Sequence, residues 1–124
     1  MGTRNQYPVK LVGEASWIGG PQDDVIGSPV KRALLRSESE IVLGCEVAGY
    51  KYDVSLRSTD GIRFEGTFVG KAGYKEYPVK AHATLYSNAE GHFLFGKWYE
   101  DNGEYSWWAQ LHRVERFSDE AQLS

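Results

Sequence analysis

The chain has 124 residues, a formal net charge of −3 and one cysteine, and 41% of its residues are hydrophobic and 14% aromatic. This length predicts a single domain over residues 1–124, with 1–6 and 118–124 frayed and a core that needs no metal or disulfide. Basic residues are interspersed with acidic ones, which argues against a nucleic-acid partner. The lone cysteine gives no sign of an oxidising compartment. Since neither a signal peptide nor a membrane span is expected, the protein is predicted to be cytoplasmic.

The first predicted strand covers residues 9–18, where apolar and polar residues alternate. We expect this strand to close the sheet against residues 106–114. The next segment, residues 19–39, is the least determined, because Gly19-Gly20-Pro21 breaks the strand and residues 30–36 fit either a helix or a strand. It is predicted to be an irregular loop, or a lid over one end of a barrel.

From Glu40 onward, apolar residues recur at every second position and the runs are separated by turns that contain glycine. This pattern predicts six antiparallel strands in a meander. Together with residues 9–18, they give an all-β, single-domain, up-and-down meander that closes into a small barrel of about seven to eight strands.

The strongest turn signal is Asn102-Gly103, since both residues accept the positive φ of a type I′ turn. A two-residue loop at this position places Trp98 opposite Trp107 and Leu94 opposite Leu111. One face of the two strands is then apolar in every pair. A slip by one residue would turn all of these side chains to the other face.

The other turns predict the remaining registers. A three-residue loop ending at Gly61, with this glycine in the left-handed conformation, is preferred to a two-residue turn because it opposes Leu56 to Phe64 rather than to Glu65. The further predicted pairs are Leu43–Val54, Ile41–Leu56, Phe68–Val79, Leu85–Leu94 and Ala83–Gly96.

The interior of this barrel is predicted to contain layers of contrasting size. One layer, which is predicted to be solid, consists of Ile62, Leu85, Leu94 and Leu111. In the next layers, Gly66 and Ala81 lie beside Trp98 and Trp107. Either the two indoles fill the space that the small residues leave, or the interior keeps a ligand pocket, since proteins rarely tolerate dry voids of that size.

A candidate ligand-binding site lies near one rim, where polar groups join the aromatic walls. Its predicted residues are Trp98, Trp107, Tyr105, Tyr52 and Glu100. A carboxylate among aromatic rings has a raised pKa and is suited to acid–base chemistry, whereas a carboxylate near a turn also turns readily to water. Both interpretations of Glu100 stay open.

No catalytic residue, cofactor or metal site is predicted from motifs. The three histidines, His82, His92 and His112, lack metal-chelating spacing, and the chain contains no phosphate loop, nucleophile elbow or dinucleotide fingerprint. Cys45 lies at an inward strand position, which favours a small apolar filler over a nucleophile.

The outward positions of the last strands carry an unusual number of aromatic residues. The candidate interface residues are Phe93, Phe95, Tyr99 and Trp108. Exposed aromatic patches are typical of partner surfaces, so we expect a homo-oligomer, with a homodimer as the simplest form. In the alternative interpretation, residues 19–39 fold over this patch.

The short antiparallel meander and its strand Leu94-x-Gly96-x-Trp98-x-Glu100 resemble the calycin group, the lipocalin-like and avidin-like barrels, over residues 40–115. The resemblance implies a barrel that binds a small, partly apolar molecule at its open end. The sequence therefore leaves three hypotheses. They are a non-enzymatic barrel for a small apolar or aromatic ligand, a protein-interaction or homo-oligomerisation module, and a barrel enzyme that uses Glu100 with Tyr105 or Tyr52.

Overall fold

The computed structural model describes residues 7–19, 24–47, 50–70, 78–100 and 103–117. Within them the backbone forms an all-β closed barrel of eight antiparallel strands in chain order, with β8 paired back to β1, which confirms the predicted fold class. The strands are β1 (Val9–Gly19), β2 (Asp24–Ser37), β3 (Glu40–Val47), β4 (Tyr50–Ser58), β5 (Arg63–Gly70), β6 (Pro78–Ser87), β7 (His92–Glu100) and β8 (Gly103–Arg113). The termini that we expected to be frayed, 1–6 and 118–124, lie outside the described residues.

Of the alternatives left open for residues 30–36 the strand is confirmed, but the irregular loop or lid expected across residues 19–39 is wrong for residues 24–37, which form β2. The cause is a β-bulge: Leu11 pairs with Ala33, but Gly13 pairs with Val30. Two buried residues of β2 are therefore three positions apart, which interrupts the alternation by which strands are recognised. Because residues 24–37 are part of the sheet, they do not fold over the outward aromatic residues of the last strands, as the alternative interpretation expected.

Most predicted registers are confirmed. Strand β1 closes the barrel against β8, with Ala15 opposite Ala109. The pairs between β3 and β4, between β5 and β6 and between β6 and β7 are also as predicted. They include Leu43–Val54, Ile41–Leu56, Phe68–Val79, Leu85–Leu94 and Ala83–Gly96.

The hairpin of β4 and β5 is shifted by two residues from its predicted register, so that Leu56 lies opposite Gly66 instead of Phe64. Its loop is longer than predicted because Asp60 organises it: one carboxylate oxygen accepts hydrogen bonds from the backbone N–H groups of Ile62 and Arg63, both at 2.8 Å. These bonds hold the pKa of Asp60 below its ordinary value. Gly61 has the expected left-handed conformation, with φ of 77°.

The hairpin of β7 and β8 is also shifted by two residues, so that Trp98 lies opposite Tyr105 and Trp107 lies opposite Gly96. Gly103 pairs with Glu100 inside the ladder, and the predicted Asn102-Gly103 turn is therefore wrong. The observed register sets the largest side chain against the smallest, which suits close packing. Both shifts are even, so every side chain stays on its predicted face.

Buried residues of all eight strands form one hydrophobic core inside the barrel. Its largest fully buried side chains include Leu11, Ile41, Leu56, Phe64 and Leu94. Ile62, expected in the solid interior layer, lies in the β4–β5 loop and is 54% exposed.

No helix in the described ranges is long and apolar enough to cross a membrane.

Candidate ligand-binding site

Five aromatic rings from five strands meet inside one end of the barrel, which we call the aromatic end. They belong to Trp17 of β1, Tyr52 of β4, Phe68 of β5, Trp98 of β7 and Tyr105 of β8. Consecutive ring centroids in this order are 6.5, 5.9, 5.9 and 5.2 Å apart. All five residues are half-buried, so the aromatic surface is continuous with the core but still reached by solvent.

Strand alternation and barrel closure together position these rings. Each of the five residues lies close to the strand end at this side of the barrel and points inward. Trp17 and Tyr52 are on strands that are not neighbours, yet their rings meet edge to face at 72°. The rings therefore span the interior at this end of the barrel.

The layer below the aromatic end contains inward glycines that do not line a cavity. A Cβ atom on Gly96 would collide with the backbone carbonyl of His82, and one on Gly66 would collide with that of Ser55. The neighbouring strand occupies the space that a side chain would need, as expected where strands bend sharply to close a barrel. Close approach of the neighbouring strand, which neither interpretation of the small interior residues included, therefore explains these two glycines.

Three of the five predicted ligand-binding residues, Trp98, Tyr105 and Tyr52, are brought together at the aromatic end. Trp107 lies deeper and is only 6% exposed. Glu100 is placed by its backbone at the end of β7, opposite Gly103, but its side chain lies outside the described residues.

Trp17 and Phe68 belong to the aromatic end but were not predicted as site residues. Both lie in predicted strands, Trp17 in the strand over residues 9–18 and Phe68 in the pair with Val79. Their contacts, however, depend on how the closed barrel brings distant strands together, since Trp17 reaches Tyr52 across the interior. The inward position of a large ring near a predicted rim was the one available signal.

The two interior tryptophans of β7 and β8 differ in hydrogen bonding. Trp107 Nε1 donates to the backbone carbonyl of His82 at 3.2 Å, reaching past Gly96. Trp98 Nε1 is buried and has no hydrogen-bond partner among the described residues. Most buried N–H groups are paired, so this donor is exceptional among the described residues of the aromatic end.

Cys45 borders the site, opposite Tyr52 in the β3–β4 ladder. Burial raises the pKa of its thiol from 9.0 to about 12, and the charge of Asp53 adds a smaller contribution in the same direction. The thiol is therefore uncharged at neutral pH, and Cys45 acts as an apolar wall rather than as a nucleophile.

The raised pKa of Cys45 predicts a pH-dependent contribution to stability. In the unfolded chain the thiol loses its proton near the ordinary pKa of 9.0, whereas the folded protein keeps it until about 12. The contribution is therefore fully present below pH 9.0 and is lost as the pH rises through this window. Urea unfolding across the window should show the stability of the wild type falling relative to Cys45→Ala. A constant difference would contradict the burial of the thiol.

A matched pair of substitutions tests the two indole donors. We expect Trp107→Phe to lower the free energy of unfolding by about 1 to 3 kcal/mol more than Trp98→Phe does. Both variants lose the same ring volume, but only Trp107→Phe breaks a hydrogen bond, while Trp98→Phe removes an unpaired donor. Urea unfolding of the ligand-free proteins measures the difference. An equal or larger loss in Trp98→Phe would show that its N–H is paired in solution.

The outer face of β6–β8 carries a second group of rings, which we call the outer aromatic row. It consists of Tyr86, Phe93, Phe95 and Trp108. Consecutive rings lie 6.4 Å apart, and those of Phe93, Phe95 and Trp108 are nearly parallel. Tyr86 is 58% and Phe95 48% exposed.

Tyr99, the fourth predicted interface residue, contacts polar neighbours instead of the row. Its hydroxyl is 2.7 Å from His82 Nε2. Lys97, also on β7, forms an ion pair with Glu104. The hydrogen bond to Glu104 and the charge of this carboxylate raise the pKa of the lysine. Polar and charged pairs thus lie along one side of the outer aromatic row.

The other end of the barrel has an open depression of about 300 Å³, lined by Ser39, Glu40, Arg57, Ser58 and Thr59. Arg57 and Glu40 form an ion pair of 3.6 Å there, with the arginine side chain mostly exposed. Such a solvated, polar surface is a weak candidate for a small-molecule site, which usually needs apolar walls.

Two further observations bear on the chemistry of the site. Among the residues that the structure describes, no three His, Cys, Asp or Glu side chains are grouped so as to hold a metal ion. Comparison of the chain with family models, curated proteins and solved structures finds no significant match.

Proposed function

We propose that the protein is a non-enzymatic binding barrel that takes a small apolar or aromatic molecule at the aromatic end. The observation that carries this proposal is the meeting of five half-buried rings at one end of a closed barrel. Aromatic rings that are partly exposed and backed by a rigid core gain free energy when a flat apolar molecule covers them.

The polarity of the site supports an apolar ligand. Cys45 keeps its proton at neutral pH, and Lys97, the neighbour of Trp98 along β7, is held on the outer face by its ion pair with Glu104. These described groups would give an ion at the aromatic end little compensation for its lost hydration. The enzymatic alternative depends on Glu100, whose side chain is not described, and no acid–base pair is therefore proposed.

A neutral fluorescent probe, N-phenyl-1-naphthylamine, tests the proposal. We expect saturable fluorescence enhancement with the wild type, and energy transfer from Trp17 and Trp98. Tyr52→Leu should weaken binding by about three- to tenfold, because it removes one ring while keeping apolar bulk. Phe95→Leu makes the matched change in the outer aromatic row and should leave the affinity unchanged.

Two results would overturn the proposal. One is the absence of saturable binding by the wild type. The other is a loss of affinity in Phe95→Leu with none in Tyr52→Leu, since the probe would then bind the outer aromatic row. Circular dichroism of each variant separates loss of binding from loss of fold.

A second candidate function, homo-oligomerisation, is favoured by the outer aromatic row. Its nearly parallel rings form a continuous apolar surface on β6–β8, while polar pairs such as Lys97 with Glu104 border one side. An apolar centre with a polar border is the usual composition of an interface. We propose a second copy of the chain as the partner, because an isologous dimer would cover each row with the same surface.

Sedimentation velocity tests this second candidate. We expect a dimer for the wild type and a monomer for Phe95→Glu, because the charge would be buried at the centre of the interface. Val25→Glu is the control. Val25 is 65% exposed and lies on β2, which is separated from β8 by β1 and is not part of the outer aromatic row. A monomeric wild type at high concentration, or dissociation by Val25→Glu alone, would contradict the assignment.

A further inference from the structure

The buried N–H of Trp98 points to the chemical class of the ligand. We infer that the molecule bound at the aromatic end is planar and carries a neutral hydrogen-bond acceptor, a carbonyl oxygen or an aromatic ring nitrogen, that accepts from Trp98 Nε1. This inference rests on the proposed function and adds to it a polar contact that would orient the ligand.

The indole of Trp98 is held in place by two neighbours. Tyr105 stacks on it with a centroid distance of 5.2 Å and an angle of 21° between the planes. Phe68 meets it edge to face at 5.9 Å and 72°. Packed in this way, the ring has little freedom to turn its N–H toward another partner. The donor therefore has a defined direction before any ligand arrives, which is a feature of preorganised sites.

The comparison with Trp107 shows that an unpaired indole is not a general property of this interior. Trp107 Nε1 has a carbonyl partner at 3.2 Å, although it lies in the same two-strand hairpin. Trp98 Nε1 is also buried but has no partner among the described residues. A buried donor without a partner is costly, and unpaired donors of this kind often mark a place where a ligand completes the hydrogen bond.

The charge of the surroundings favours a neutral acceptor over a carboxylate. The thiol of Cys45 is uncharged, and the ion pair of Lys97 with Glu104 keeps the nearest cation along β7 on the outer face. One neutral N–H does not compensate a carboxylate for its lost hydration. A carbonyl or ring nitrogen loses far less on burial, and a planar framework around it matches the aromatic walls.

Matched bicyclic probes separate the acceptor from the ring system. Naphthalene, quinoline and isoquinoline have nearly the same outline, but only the last two carry a ring nitrogen, which is neutral in mildly alkaline buffer. We expect the ratio of the better heteroarene's affinity to that of naphthalene to be about five- to tenfold higher in the wild type than in Trp98→Phe. Trp108→Phe, which removes an indole of the outer aromatic row, should leave this ratio as in the wild type.

The outcomes distinguish this inference from the proposed function. If all three probes bind and Trp98→Phe leaves the ratio unchanged, the acceptor assignment is wrong, whereas binding at the aromatic end stands. If none of them binds and N-phenyl-1-naphthylamine also fails, the proposed function itself is wrong. Tighter binding of 2-naphthoate than of quinoline would overturn the requirement for a neutral acceptor.

Discussion

Gly96→Ala is expected to lower the free energy of unfolding by about 3 kcal/mol or more, although it adds only one methyl group. The new Cβ would collide with the backbone carbonyl of His82, which cannot move without opening the β6–β7 ladder. The same carbonyl accepts the hydrogen bond of Trp107, so any displacement also disturbs the indole that packs opposite Gly96. Urea unfolding, with the midpoint and the slope fitted separately, measures the loss.

Gly44→Ala is the matched control, since it makes the same change in another strand of the barrel. A Cβ there would have its nearest neighbour, Asp53 Oδ1, at an ordinary contact distance of 3.6 Å. We expect stability to rise by about 0.5 to 1 kcal/mol, because alanine loses less backbone entropy than glycine on folding. Equal effects of the two substitutions would show that strands β6 and β7 do not approach as closely as described.

The contrast between these glycines shows where prediction from the sequence stops. Alternation of apolar and polar residues predicts which face each side chain occupies. This prediction is correct even in the two hairpins whose registers were predicted wrongly. A shift by two residues leaves every side chain on its face, so alternation cannot decide whether Trp98 lies opposite Trp107 or Tyr105. That choice depends on the approach of two backbones at Gly96, which no local pattern reports.

Strand β2 illustrates a second reason. Val30 and Ala33 are both buried although they are three residues apart, because an extra residue of β2 is accommodated at the bulge opposite Leu11 and Gly13. The broken period leaves residues 30–36 compatible with either a helix or a strand. Bulges help a sheet to curve into a barrel, so the closure of the fold produces the irregularity that hides this strand.

The candidate site was predictable to the same partial extent. Trp98, Tyr105 and Tyr52 could be assigned to one rim because their inward positions lie near predicted turns. The contact of Trp17 with Tyr52 requires the curvature of the whole barrel, since these residues come from strands that do not pair. Whether Trp98 Nε1 finds a hydrogen-bond partner depends on how its side chain is rotated. No local sequence pattern predicts that rotation.

Phe64→Ala is the second substitution with a large expected effect, a loss of about 3 to 5 kcal/mol in the free energy of unfolding. Phe64 is fully buried, and the ladder runs from it through Ala83 and Gly96 to Trp107. Because the two central residues of this row are small, neither can fill the cavity that removal of the phenyl ring would leave. Backbone relaxation is also limited, since β6 and β7 are already in close contact at Gly96.

Ile62→Ala is the informative control because the sequence and the structure disagree about it. An isoleucine in a solid interior layer would cost about 2 to 5 kcal/mol on truncation, whereas one at a largely exposed loop position should cost under about 0.5 kcal/mol. The structure places Ile62 in the Asp60 loop at 54% exposure and therefore predicts the small value. A loss of about 2 to 5 kcal/mol for Ile62→Ala would place this side chain in the interior and return the β4–β5 hairpin to the register with the shorter loop. Agreement with the structure would instead support the four-residue connection that Asp60 holds together, and with it the pairing of Leu56 with Gly66.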